Sequence, residues 1–127
     1  METVVIITDR SISLECLLIR IPRSLQTEKL SDGRILVSSK MGHCWLAHDD
    51  SMAEHYDESE KVAILKRIPY ASYFTCEFSD APFGRMVLSH ILIENEFLID
   101  FDRGRLITGN EFKMRLASNS DWDWRLE

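Results

Sequence analysis

Short apolar runs with the patterns of β-strands are the feature that most constrains how this chain can fold. Residues 4–7 read Val-Val-Ile-Ile, a continuous β-branched run that is typical of a strand covered on both faces. Residues 70–78 alternate instead, with Phe74, Cys76 and Phe78 pointing to one face. The residues between these three are more polar, so we predict that the opposite face of this strand is exposed to solvent.

Shorter runs predict four further strands, at residues 14–21, 25–30, 34–38 and 43–48. Pro22 ends the first of them, because proline cannot continue a central strand. Two of the runs flank Ser31-Asp32-Gly33, which is a turn signal of the hairpin kind. A second hairpin is predicted where residues 97–101 and 105–107 flank another Gly-containing turn.

One helix is predicted to begin near Asp57, which stands three residues before Glu60 at the separation of a capping box. Val62, Leu65 and Ile68 supply the apolar stripe of this helix, and the proline that follows ends it. An apolar stripe at helical spacing is typical of a helix that packs on a core. We therefore expect these three side chains to face the sheet.

Two more helices carry comparable start signals. Asp80 is a cap candidate followed by a first-turn proline, Pro82, and Thr108 forms another capping box with Glu111. A chain of 127 residues with 45% hydrophobic residues can build one core but is too short for two. The sequence therefore predicts a single α+β domain over residues 1–127, with a mostly antiparallel sheet and about three helices.

Charge and cysteine content exclude several broad classes of function. The 15 basic and 21 acidic residues give a net charge of −6, and an acidic surface repels phosphate, so nucleic acid is not expected as a partner. Three cysteines without paired spacing favour a reducing compartment over a disulfide scaffold. No apolar run could span a bilayer and the first residues lack a signal peptide's basic leader, which predicts a cytoplasmic protein without a membrane partner.

One segment contains the residue types of a zinc site: His43, Cys44 and His48, followed by His55. On a strand the first two histidines point to opposite faces, and Cys44 lies about 13 Å from His48, too far to share one tetrahedral ion. We therefore predict no metal and no cofactor. A nucleophilic thiol is not expected either, because Cys16 and the third cysteine fall in apolar strands. A small enzyme or metal-binding protein that uses the four residues remains an alternative interpretation.

The negative charge is concentrated in residues 41–60, which contain six carboxylates and no lysine or arginine. The carboxylates belong to Asp49, Asp50, Glu54, Asp57, Glu58 and Glu60. Such a block is either a solvated loop and helix start, where acids favour the helix dipole, or a surface that meets a basic partner. Tyr56 lies inside the block and is the residue type of an interface anchor. The second interpretation predicts that the six acids and Tyr56 form a partner-binding site.

The C-terminal part of the chain resembles a known family. Residues 98–112 combine an apolar strand, an Asp-x-Asp-x-Gly turn and a Gly-x-Glu-Phe helix start, and Trp122-Asp123-Trp124 lies near the end of the chain. This pattern resembles the C-terminal end of small bacterial immunity proteins, which pair with toxins delivered between competing cells. The resemblance implies a non-catalytic inhibitor of one cognate toxin, with contact residues that vary from toxin to toxin.

These observations predict a cytoplasmic immunity protein, without enzymatic activity, that binds and neutralises a cognate toxin domain through an acidic surface. A nuclease toxin would fit, because its active site is basic and carboxylates can occupy it in place of phosphates. An adaptor or scaffold subunit, whose apolar strand edge pairs with another chain, is a further alternative.

Overall fold

The computed structural model describes residues 2–92, 97–101 and 106–119. Within these ranges the strands are β1 (Glu2–Asp9), β2 (Gln26–Lys29), β3 (Ile35–Ser39), β4 (Gly42–His48), β5 (Ala71–Phe78), β6 (Leu98–Asp100) and β7 (Leu106–Thr108). The α-helices are α1 (Leu14–Ile19), α2 (Glu58–Arg67), α3 (Ala81–Ile91) and α4 (Gly109–Ser118), and a 3₁₀ helix spans Asp50–His55. The predicted α+β class is confirmed.

The seven described strands belong to one antiparallel sheet with the order β2-β3-β4-β5-β1-β6-β7. β1 lies inside the sheet, where it pairs with β5 along its whole length and with β6 on its other edge. Residues 4–7 are buried although their side chains alternate between the two faces of the sheet. The continuous β-branched run is thus a doubly covered strand, as predicted.

One face of the sheet carries the larger core, which α1, α3 and α4 cover. Phe74, Cys76 and Phe78 of β5 point into this core, as predicted. Helix α3 lies very close to β5, because a Cβ atom added at Gly84 would fall 2.6 Å from the ring of Phe78. The missing side chain of this glycine therefore permits the close packing of helix on sheet.

The opposite face carries a smaller core beneath the 3₁₀ helix and α2. Side chains of β1, β5 and β6 meet Ile64 of α2, and Ile68 at its C-cap, in this core. The prediction of a solvent-exposed face on β5 is therefore wrong for Tyr73 and Thr75, which are buried. Glu77, on the same face, is half-buried. The physical reason is that the acidic segment between β4 and β5 folds back across the sheet.

The predicted strand at residues 14–21 is wrong, because this segment forms helix α1. The Ser13 hydroxyl caps the helix by accepting a hydrogen bond from the Cys16 N–H. Leu17 is buried in the larger core, whereas Ile19 on the other side of the helix is 83% exposed. A short apolar run is compatible with either structure, and here the N-terminal cap favours the helix.

Helix α2 begins at the predicted capping box, but the side that it buries differs from the prediction. Ile64 and Ile68 pack against the sheet, while Val62 and Leu65 are 63% and 49% exposed. The predicted stripe is therefore correct only for Ile68. Because residues four apart share one side of a helix, burial of Ile64 with Ile68 turns Val62 outward.

The remaining predicted strands and turns are found where the structure describes them. β2 and β3 pair across the Ser31-Asp32-Gly33 turn, where Gly33 has a φ of 91°. β6 and β7 pair as the second hairpin, although its turn, like the tryptophans of the tail, lies outside the described residues. None of the helices that the structure describes combines the length and the apolar character needed to cross a membrane.

Candidate functional site

The candidate site is the acidic surface, by which we mean the six carboxylates of the 3₁₀ helix, its flanking residues and the first turn of α2. Its members are Asp49, Asp50, Glu54, Asp57, Glu58 and Glu60. No lysine or arginine lies between residues 41 and 60 to neutralise them. The six acids surround two successive helix starts, and four of them also stabilise those starts.

Asp49 and Asp50 fix the 3₁₀ helix. Asp49 caps it by accepting a hydrogen bond of 3.1 Å from the Ser51 N–H. Asp50 Oδ1 accepts hydrogen bonds from the Tyr73 N–H at 2.9 Å and from the Ser72 hydroxyl at 3.1 Å, which joins the helix to β5. Burial raises the pKa of Asp50, but these hydrogen bonds and the adjacent ring of His48 together outweigh it, so the net shift of this pKa is downward.

Asp57 and Glu60 fix the start of α2 through a reciprocal capping box. Asp57 Oδ1 accepts a hydrogen bond of 2.8 Å from the Glu60 N–H, and Glu60 Oε1 accepts one of 2.9 Å from the Asp57 N–H. The hydrogen bond from the Glu60 N–H, followed by that from the Ser59 hydroxyl, lowers the pKa of Asp57. The side chain of Asp57 is therefore both ionised and held in one orientation.

Glu54 and Glu58 are the acids of this surface that are least engaged within the chain. Glu54 is exposed, and no hydrogen bond or ion pair to another described residue holds it. The side chain of Glu58 is 93% exposed and comes no nearer than 3.9 Å to the ammonium of Lys61. Such a distant, exposed ion pair contributes little, so both carboxylates are available to a partner.

Tyr56 does not take the place that the sequence predicts for it. The residue is only 7% exposed, and its hydroxyl donates a hydrogen bond of 2.7 Å to Asp100 Oδ2 on β6. Burial, followed by this hydrogen bond, raises the pKa of Tyr56 well above its usual range. The prediction that the ring is an exposed anchor for a partner is therefore wrong. Tyr56 is an internal anchor that attaches the acidic surface to the sheet.

The four residues of the alternative metal site are dispersed. His43 is exposed and stacks on Trp45, Cys44 points into the larger core, and His48 and His55 end two different elements. In the part of the chain that the structure describes, no three His, Cys, Asp or Glu side chains could jointly hold a metal ion. The expected absence of a metal stays a prediction for elemental analysis to test.

His48, Asp50 and Ser72 have the residue types of a hydrolase triad but not its geometry. In a triad, one imidazole nitrogen contacts the serine and the other contacts the carboxylate. Here His48 Nε2 lies 3.0 Å from both Ser72 Oγ and Asp50 Oδ1, and the serine hydroxyl donates directly to the carboxylate. Ser72 is also buried. These contacts attach the 3₁₀ helix to β5, and they do not have the geometry that would activate the serine as a nucleophile.

The thiols differ from one another in their environment. Cys44 Sγ and Cys76 Sγ lie 3.1 Å apart in the larger core, and the neighbouring thiol together with burial raises the pKa of Cys76 far above its usual range. Cys16 does not lie in the apolar strand that the sequence predicts, but is half-buried in the first turn of α1. There the Ser13 hydroxyl lowers its pKa. Cys44 and Cys76 therefore pack in the core in the same way as small apolar side chains.

Val62 and Leu65, which the sequence pattern predicts to be buried, are exposed on the surface next to this site. Their exposure could have been inferred from Ile64 and Ile68, which form a competing i, i+4 pair on the same helix. Of the two possible stripes, the structure buries the one that contains two isoleucines. The acidic surface is consequently bordered by exposed apolar side chains.

Comparisons with known proteins identify no relative of this chain. No protein-family model, no curated protein and no solved structure gives a significant match. The geometry and charge of the acidic surface therefore have to support the functional argument by themselves.

Proposed function

We propose that this protein is a cytoplasmic immunity protein that binds and neutralises a cognate bacterial toxin domain through the acidic surface. The observation that carries the proposal is the set of six carboxylates in residues 41–60, a stretch that contains no lysine or arginine. The charge of this stretch equals the net charge of the whole chain, −6. A surface of this kind attracts a basic partner and repels an acidic one.

The rigidity of the acidic surface supports a role in recognition. The capping interactions of Asp49 and Asp57 and the bonds of Asp50 to β5 hold the backbone of the surface before a partner arrives. A preorganised surface loses less conformational entropy on binding than a flexible loop of the same charge. The side chains of Glu54 and Glu58 then project from a backbone that is already held in place. On a nuclease toxin, they would occupy positions that the phosphates of the substrate otherwise take.

The test takes the C-terminal domain of the protein encoded by the adjacent gene as the toxin domain. Its association with the purified protein is measured at two salt concentrations. The variant combines Glu54→Gln with Glu58→Gln, because these two carboxylates have no capping role. A matched control combines Glu15→Gln with Glu28→Gln, which changes the net charge equally on α1 and on the edge strand β2.

We expect the Glu54/Glu58 variant to associate about threefold to tenfold more slowly at low salt, and to depend less on salt, while the control variant stays close to the natural protein. Co-expression of the natural protein should also restore the growth of cells that produce the toxin domain. Failure of the natural protein to bind that domain, or to protect the cells, would refute the proposal. Stoichiometric zinc in the purified protein would instead favour the metal-binding alternative.

A further inference from the structure

Helix α2 presents an exposed apolar stripe directly beside the acidic surface. Val62 is 63% exposed and Leu65 is 49% exposed, although branched aliphatic side chains are usually withdrawn from water. Both follow Glu58 at helical spacings of four and seven residues, so the three side chains lie on one side of the helix. Ile64 lies on a different side of the helix and, together with Ile68 at the C-cap, already attaches α2 to the sheet.

Charged side chains flank the stripe at both of its ends. Helical spacing places Glu58 at its N-terminal end and Lys66 beside its C-terminal end, while Lys61 borders it next to Leu65. A partner that lies along the stripe therefore meets a carboxylate at one end and an ammonium at the other. Because Tyr56 is enclosed beneath the surface, it cannot provide the apolar contact that a tight interface needs at its centre.

We infer that Val62 and Leu65 form the apolar centre of the toxin-binding surface, and that the acidic surface is its charged rim. The inference rests on the proposed function and specifies the partner. The partner is a protein surface with an apolar depression, and its basic residues lie at the end that faces the 3₁₀ helix. Charge complementarity selects this occupant, because Glu58, the carboxylate beside the stripe, has only the distant ammonium of Lys61 as an ion-pair partner among the described residues.

The two parts of this surface should affect binding in different ways. Long-range attraction by the acidic rim acts on the rate of association, whereas close apolar contacts at a desolvated centre act on the rate of dissociation. Replacement of Val62 and Leu65 by alanine should not harm the helix, since both side chains are exposed and alanine is the best helix former. The double variant therefore separates binding from folding.

The experiment measures binding of the neighbouring gene's C-terminal toxin domain to the combined Val62→Ala and Leu65→Ala variant. The control is Ile19→Ala, which removes an even more exposed aliphatic side chain from α1 over the other face of the sheet. We expect the double variant to dissociate about tenfold faster or more, with an association rate within about twofold of the natural protein. The Ile19→Ala variant should dissociate at the natural rate.

The possible failures are distinguishable from one another. If the natural protein does not bind the toxin domain, the proposed function fails and this inference with it. If the natural protein binds and the double variant dissociates at the same rate, or the Ile19→Ala variant is equally impaired, the inference alone is overturned. Sedimentation of the free protein provides the last outcome. If the natural protein is a dimer and the double variant is a monomer, the stripe binds a second copy of the chain, and the inference that it binds a toxin is overturned.

Discussion

Replacing Tyr56 by phenylalanine tests whether this residue is an internal anchor or part of the binding surface. The change removes the hydroxyl and leaves the ring, which packs 6.1 Å from the ring of Tyr73. The lost hydrogen bond is 2.7 Å long, and its two residues, Tyr56 and Asp100, are 7% and 5% exposed. A buried hydrogen bond to a carboxylate contributes about 1.5–3 kcal/mol, so we expect the free energy of unfolding to fall by about 2 kcal/mol.

Urea denaturation at neutral pH, followed by tryptophan fluorescence, measures this loss. With a denaturant dependence of about 2 kcal/mol per molar urea, the midpoint should fall by about 1 M while the slope stays constant. The control is Tyr70→Phe, because Tyr70 is 66% exposed and its hydroxyl makes no hydrogen bond to the described part of the chain. The reasoning is refuted if both variants have the same midpoint, or if Tyr56→Phe leaves stability unchanged and speeds dissociation from the toxin domain.

Further predictions concern the packing, the buried hydroxyl and the pH dependence. Gly84→Ala should lower the free energy of unfolding by about 1–3 kcal/mol despite the better helix propensity of alanine, and the loss should shrink in a Phe78→Leu background, as a double-mutant cycle would show. Thr8→Val should raise stability by about 1 kcal/mol in urea denaturation, because Thr8 Oγ1 is buried without a partner among the described residues. Asp57 has a lowered pKa in the folded state, so the stability that it contributes is present above the unfolded pKa of about 3.9 and is lost as the pH falls through the folded value. The free energy of unfolding, measured between about pH 5 and about pH 3, should therefore fall less steeply for Asp57→Asn than for the natural protein. Asparagine can still cap the helix.

The parts of the fold that the sequence predicted correctly are those with one dominant local signal. The β-branched run of residues 4–7 strongly favours a strand, and the Asp57 capping box fixes the start of α2 by itself. The alternation at Phe74, Cys76 and Phe78 correctly assigned the face that meets the larger core. In each case the information lies within a few residues of the element that it specifies.

The errors arose where tertiary contacts chose between two locally acceptable structures. Residues 14–21 fit a strand or a helix, and docking of Leu17 in the core agrees with the helix that Ser13 caps. Helix α2 carries two apolar stripes, and only the position of the sheet decides that Ile64 is buried and Val62 is not. The burial of Tyr56 depends on Asp100, forty-four residues away, so no local pattern could have predicted it.

The placement of the thiols also determines how opening of the protein can be followed. Cys16 is half-buried in a short helix, whereas Cys44 of β4 and Cys76 of β5 are enclosed where these adjacent strands pair. An alkylating reagent should therefore reach the first thiol in the native protein and the other two only when the strands separate. In mass spectra of chains exposed to the reagent for increasing times, the ratio of triple to single adducts would record how often the middle of the sheet opens.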